Sequence, residues 1–259
     1  MSPDVNVEIR AYVKIVNEFT PPSLCQNTIH IWHRDLGLDD SDSRTFWEVL
    51  AQDERLRAQR FRFESDRKAY ISTRGTLRVL LASYLRKSPA DVGLSYSIYG
   101  KPSLLRSSTA HDLRFNISHA QGKAVFAFAL GMELGIDIER IVPHVGLLEL
   151  ADRFFSECER SSLRELPLEQ RTNSFYRCWT RKEAYIKARG DGLAIPLDKF
   201  DVGVAFHQGP VLVMTTLNIN DASRWAVEDL SIEEGYASAV AWEQRDSLSN
   251  VTVGAGSCR

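Results

Sequence analysis

From Lys123 to Arg140 the chain reads KAVFAFALGMELGIDIER, and Asp137 and Glu139 stand one residue apart at the end of this apolar stretch. Charged side chains are rarely buried without a partner, so something must compensate them. If the segment is a strand, alternate residues share a face, and Asp137 and Glu139 point one way while Ile136 and Ile138 pack the other. Two carboxylates on one spot repel each other unless a cation lies between them. That cation is either a side chain, with Arg140 nearest in sequence, or a metal ion. Oxygen-only ligation suits magnesium, which combines a few carboxylates with waters and substrate phosphates.

The bulk properties narrow the field. The 259 residues, 44% hydrophobic and 25% charged, suffice for one large domain or two smaller ones. A formal net charge of -2 provides no general basic field for nucleic acid. Basic residues nevertheless crowd between Arg55 and Arg78, which points to a compact anion. Cys25, Cys158, Cys178 and Cys258 have no zinc-ligand spacing and read as reduced thiols. The opening MSPDVNVEIR lacks the pattern of a signal peptide, and AVFAFALGM is too short to span a bilayer. The expectation is a cytoplasmic protein with no membrane association.

The first thirty residues read as irregular, followed by a short strand at TIHIWHRDL. SDSRTFWEVLAQDERLRAQRF reads as one helix capped by Ser43, and SDRKAYISTRGTLRVLLASYLRK as a stronger one capped by Ser65. Strands follow at LSYSIY, LRFNISH and KAVFAFAL. The second half repeats the order. LLELADRFFSECERSSLRELP and NSFYRCWTRKEAYIKARG are helical, the latter ending at Gly190, and KFDVGVAF, PVLVMTTL, WAVEDLSI and ASAVAWE are strands. Helices and strands in separate runs favour α+β, and the repeated order suggests a duplication joined near Leu134. The expected division is an N-terminal half over 1–134 and a C-terminal half over 135–259, with a flexible tail from about residue 247.

Three further segments carry chemistry. In FYRCWTRKEAYIKARG, the residues Trp179, Glu183 and Lys187 follow one another at single-turn intervals and line one helix face. FNISHA ends an apolar strand with Asn116, Ser118 and His119, a polar cluster able to present donors to a phosphate. YGKP sets Lys101 in a Gly–Pro turn, suited to holding an ammonium at a loop tip. Taken singly, each also reads as ordinary structure: a surface Glu–Lys pair, a structural histidine, a solvated turn lysine.

In order, YGKP, FNISH, GIDIE, FFSECE and WTRKEAYIKARGDGL resemble the motif set of the 4'-phosphopantetheinyl transferases, in the two-domain, surfactin-synthetase-activating group. The resemblance runs from about Arg57 to Leu193 and weakens in the strands beyond. It implies two similar α+β halves in pseudo-twofold arrangement, with coenzyme A between them. It implies transfer of the 4'-phosphopantetheine arm of coenzyme A to a serine of an apo acyl or peptidyl carrier protein. That reaction is Mg²⁺-dependent and releases adenosine 3',5'-bisphosphate. Carried over by motif, Asp137, Glu139 and Glu183 hold Mg²⁺, and Glu183 and Lys187 serve catalysis. Glu159, from FFSECE, is a general base or a metal-shell residue. Arg57, Lys101, Pro102, Ser118, His119 and Lys187 bind coenzyme A, with Arg57 at the 3'-phosphate and Arg60 and Arg74 as secondary candidates.

The rival from another class is a non-catalytic module that binds coenzyme A or a carrier protein. It predicts loss of a metal carboxylate or of Lys187, and all are present. A magnesium-dependent nuclease would need an electrostatic track for a polyanion. No G-x-S-x-G or HExxH occurs, and Gly122-Lys123 is followed by alanine rather than the Ser/Thr of a phosphate-binding loop. A site completed by the protein's own two halves implies a monomer.

Overall fold

The computed structural model describes residues 5–11, 21–37, 40–105, 112–143, 146–207, 209–215 and 224–244. The tail expected from about residue 247 and Cys258 lie outside them. In chain order the elements are β1 (Asn6–Ala11), β2 (Thr28–Asp35), α1 (Asp40–Val49), α2 (Gln52–Ala58), α3 (Glu64–Leu85), β3 (Leu94–Tyr96), β4 (Pro102–Leu104), β5 (Leu113–Ala120), β6 (Lys123–Leu130) and β7 (Leu134–Arg140). They continue with α4 (Leu147–Phe154), α5 (Glu157–Glu165), α6 (Leu168–Arg189), β8 (Phe200–Asp201), β9 (Val211–Leu212), β10 (Met214–Thr215), β11 (Trp225–Asp229) and β12 (Tyr236–Glu243).

Two four-stranded sheets organise the molecule, in the orders β1-β2-β6-β5 and β7-β12-β11-β9. All neighbours are antiparallel except β1 and β2. Strand β6 explains the architecture. Its unbroken apolar run is buried on both faces, as a central strand requires. Small Val125, Ala127 and Ala129 face an inner core with Leu134, Ile136, Ile138, Val240 and Trp242 of the second sheet. Phe126 and Phe128 face the other way, onto Leu77, Leu80 and Leu81 of α3. The second sheet is backed in the same manner by α6, through Ala184, Tyr185 and Ala188 against Ala239 and Ala241. The result is helix, sheet, sheet, helix, an α+β arrangement with a 22-residue helix outside each sheet.

Several boundaries differ from the sequence reading. Residues 6–11 form an edge strand rather than irregular chain, in keeping with the alternation of Val7 and Ile9 with Glu8 and Arg10. The first helical stretch breaks at Ala51, where the Glu54 carboxylate reaches back to the Ala51 N–H at 3.0 Å. That carboxylate also pairs with Arg78, and both side chains are buried. Ser43 lies inside α1, and Ser65 lies inside the first turn of α3, whose N-cap is Phe63. The second-half helical stretch likewise splits at Ser156, which opens α5 with a capping box to Glu159. Gly190 does close α6, at φ 78°. Cys25, Cys158 and Cys178 are free thiols.

Candidate active site

A cleft of about 430 Å³ opens where α3, β5 and the β3–β4 hairpin of the first sheet's side meet α6 of the second. Arg74, Lys101, Ser118, His119, Glu183 and Lys187 line it, with buried Pro102 in its wall. It exists because α6 lies directly on β7. A Cβ on Gly135 would sit 2.1 Å from Ala184 O and 2.2 Å from Ala188 N, so only glycine permits this approach. The seam between the sheets is closed by Asn116, whose buried side-chain oxygen accepts from the Ile136 N–H at 2.9 Å. Asn116 therefore aligns β5 with β7.

That alignment sets Asp137 against Ser118 and Lys187. Ser118 Oγ donates to Asp137 Oδ1 at 2.8 Å. Lys187 Nζ donates to Asp137 Oδ1 at 2.6 Å and to Ser118 Oγ at 2.9 Å. Asp137 is 3% exposed, and its Oδ2 is buried with no hydrogen-bond partner. Ile136 and Ile138 face the inner core, so the alternation read from the sequence holds.

Glu139 and Glu183 stand beside this group. Burial, then the charge of Asp137, raises the pKa of both; Glu183 also raises that of Glu139, and Lys187 opposes each shift. The Trp179 indole gives Glu139 a hydrogen bond while its ring packs edge-on to Phe154, at 5.6 Å, and over Phe175. Trp179, Glu183 and Lys187 thus share one face of α6. Among the described residues no three His, Cys, Asp or Glu side chains are grouped to hold a metal ion. Asp137 Oδ1 is turned to Lys187 instead. The donor set nevertheless suits a hard cation: one orphaned carboxylate oxygen and two carboxyls raised by burial and the charge of Asp137.

His119 sits at the cleft rim, and desolvation, then the charges of Lys187 and Arg74, hold its pKa below the usual histidine value. Lys101 departs from the expected loop-tip ammonium. It is partly buried and donates to Ala188 O at 3.0 Å, with Leu134 O and Glu133 each at 3.4 Å. It therefore anchors the β3–β4 hairpin to the C-terminal end of α6, where unpaired carbonyls attract a cation. Burial lowers its pKa and Glu133 opposes that.

Two expectations are not met in the cleft. Arg57 is exposed on α2, with its guanidinium 5.6 Å from the Tyr70 ring, and does not line the cleft. Glu159 is buried and does not line the cleft. It is 2% exposed between α5, α6 and the 197–202 segment. Its carboxylate pairs with Lys182 at 2.7 Å and accepts from Ser156 N at 3.0 Å and Val202 N at 2.8 Å. With both oxygens engaged in the interior, it has no path to a substrate hydroxyl. The expectation from FFSECE, a general base or a metal-shell residue, is corrected to a structural role.

The sequence had no signal for Lys182. This lysine is 0% exposed, and its ammonium is also bonded to Leu197 O and Phe200 O. Only the packing of α6 reveals that Lys182 points into the core while adjacent Glu183 lines the cleft.

Comparison with known proteins shows the family. Residues 133–241 match the 4'-phosphopantetheinyl transferase superfamily model, and residues 39–130 match the model described as 4'-phosphopantetheinyl transferase, N-terminal. The chain is 35% identical to the 4'-phosphopantetheinyl transferase HetI of Nostoc sp., covering 85% of this chain and 91% of the relative. It is 29% identical to the 4'-phosphopantetheinyl transferase Sfp of Bacillus subtilis, over 85% and 94%. It is 30% identical to the human L-aminoadipate-semialdehyde dehydrogenase-phosphopantetheinyl transferase, over 79% and 72%. The chain belongs to the 4'-phosphopantetheinyl transferase superfamily, in its two-domain type.

Proposed function

We propose that the protein is a phosphopantetheinyl transferase that moves the 4'-phosphopantetheine arm of coenzyme A onto a serine of an apo acyl or peptidyl carrier protein. The observation that carries this reading is the meeting of Asp137, Ser118 and Lys187, with Glu183 and Glu139 beside them, in a cleft between two sheets.

In the proposed reaction the serine oxygen bonds to the β-phosphorus of coenzyme A. The bond from that phosphorus to the bridging oxygen breaks, and adenosine 3',5'-bisphosphate leaves. Glu183 lines the cleft, and we assign it the serine proton. Lys187 steadies the departing diphosphate oxygen, where negative charge grows as the bond breaks. Ser118, His119, Lys101 and Pro102 bound the coenzyme, Lys101 chiefly by holding the hairpin wall. Arg57 would act from outside the cleft, through the Tyr70 ring it covers. Asp137, Glu139 and Glu183 would hold Mg²⁺, which when bound neutralises pyrophosphate charge.

We further propose a division into halves at about Leu134, where β7 begins, with coenzyme A bound between them. The protein acts as a cytoplasmic monomer. No described helix is long and apolar enough to cross a membrane. Incubation with coenzyme A, Mg²⁺ and a panel of apo carriers, read by intact mass, tests the function. A phosphopantetheine-sized gain on the carrier serine is expected; none from folded protein across the panel overturns it.

A further inference from the structure

Resting on the transferase reading, we propose that Lys123 is a positioning residue. With Tyr236 it clasps the β5–β6 turn to the β11–β12 loop, and so holds Ser118 and His119 in line with Asp137 and Glu139. The need for a clasp comes from the topology. Ser118 and His119 lie on β5 and the two carboxylates on β7, and these strands are edges of different sheets. Among the described residues no backbone ladder joins them, so side chains must set their alignment. Asn116 fixes one point, at Ile136, and the Ser118–Asp137 bond lies next to it. A pin at that point alone leaves the far end of β5 free to swing.

The clasp sits at that far end. Lys123 lies opposite Ala120 in the β5–β6 register, just past the turn of Gln121 and Gly122. Its ammonium pairs with Asp35 of the same sheet and with Glu233 of the β11–β12 loop, in the other half. It also stands 5.8 Å from the centre of the Tyr236 ring. Tyr236 adds a neutral bond, its hydroxyl donating to Gln121 O at 2.8 Å. Lys123 is buried, whereas the Asp35 and Glu233 side chains are 76% and 49% exposed. The ammonium is the covered centre of the clasp, and the carboxylates around it keep contact with water.

Both sides of the clasp lead directly to the site. On β5, Ser118 is two residues before Ala120, about 7 Å along a strand. On the other side, the Ile141 N–H donates to Gly235 O at 2.8 Å and ties the loop to the end of β7. Ala237, next to Tyr236, pairs with Glu139 in the β7–β12 register. A shift of the turn against the loop therefore moves Ser118 relative to Asp137 and Glu139. Lys123, Glu233 and Tyr236 do not line the cleft, so their influence passes through these strands. Alignment of reacting groups is sensitive to such shifts, since a displacement of about 1 Å can cost roughly 100-fold in rate.

The test is a double-mutant cycle between Lys123→Met and Ser118→Ala, read as kcat/KM for transfer and as coenzyme A affinity by calorimetry. Lys123→Met alone should lower both by about tenfold, and Lys123→Arg should recover most of the loss. In the Ser118→Ala background the same change should cost less than about threefold, because the hydroxyl it positions is gone. A role in stability alone gives equal losses in both backgrounds; that result, or no loss at all, would overturn the inference. Tyr236→Phe removes one hydroxyl and no charge. It should give a smaller loss with the same coupling to Ser118, and it decides the matter if Lys123→Met does not fold. Amide exchange over residues 118–122 of the ligand-free protein should quicken in either variant, and unchanged exchange counts against the clasp. If the unaltered protein binds coenzyme A but transfers to no carrier, the transferase reading fails while the affinity cycle still tests Lys123.

Discussion

Lys187 Nζ lies 2.6 Å from Asp137 Oδ1, joining the last turns of α6 to the middle of β7. This contact spans 50 residues of sequence and brings the site's cation and most buried carboxylate together. Lys187 is 29% exposed at its side chain, whereas Asp137 is 5% exposed there. Replacing the carboxylate therefore leaves an ammonium that water can still reach.

Asp137→Asn and Glu183→Gln should each lower carrier modification by about 100-fold or more, because both act on charge that develops during transfer. Stability should hold. The folded pKa of Glu183 is raised by burial and then by Asp137, so its ionised form weakens the fold as pH rises through the shifted value. Glu183→Gln removes that loss, and metal-free thermal melts at neutral pH should show an unchanged or higher midpoint. A collapse of both variants in the melts would instead make these residues structural.

Glu159 should behave in the opposite way. Breaking its buried pair with Lys182 leaves an ammonium uncompensated in the core, at a cost of about 3–5 kcal/mol. Glu159→Ala should lower the denaturation midpoint sharply, yet transfer below that midpoint should persist. Denaturant melts beside transfer rates separate the two effects; loss of transfer with stability intact would restore a catalytic role.

Gly135→Ala should damage fold and activity together. Its new Cβ meets the backbone of Ala184 and Ala188, which have no rotamer to yield. The relief available is to lift α6 from β7, parting Lys187 from Asp137. Overpacking of this kind typically costs about 1–3 kcal/mol, and rigid backbone on both sides points to the upper end. A melt together with a coenzyme A binding isotherm checks it; normal binding would show that the close approach is dispensable.

His119 should stay neutral at pH 7, since desolvation and the charges of Lys187 and Arg74 lower its pKa from 6.5. The unfolded chain then takes the proton more readily, and this residue's share of stability fades as pH falls below about 6.5. A bound phosphate monoester supplies the opposite charge, and the His119 ring signals should then titrate at higher pH. An NMR titration with and without adenosine 3',5'-bisphosphate reads both; an unmoved midpoint would place His119 away from the phosphate.

Much of this protein is local in the sequence. The alternation in GIDIE determined that two carboxylates would leave the core face together, and the spacing in WTRKEAYIK placed Trp179, Glu183 and Lys187 along one helix face. The apolar run KAVFAFAL announced the strand β6. Period and apolar pattern fix such features because they depend on backbone repeat alone. What they leave open is which polar group finds which partner across the fold. Only the packing of α6 on Gly135 sends Lys182 to Glu159 and Lys187 to Asp137, removing Glu159 from the chemistry. Only the hairpin resting on the end of α6 turns Lys101 into an anchor. Ion pairing and desolvation act through space at distances of a few ångströms, and that neighbourhood comes into being only when the two sheets meet.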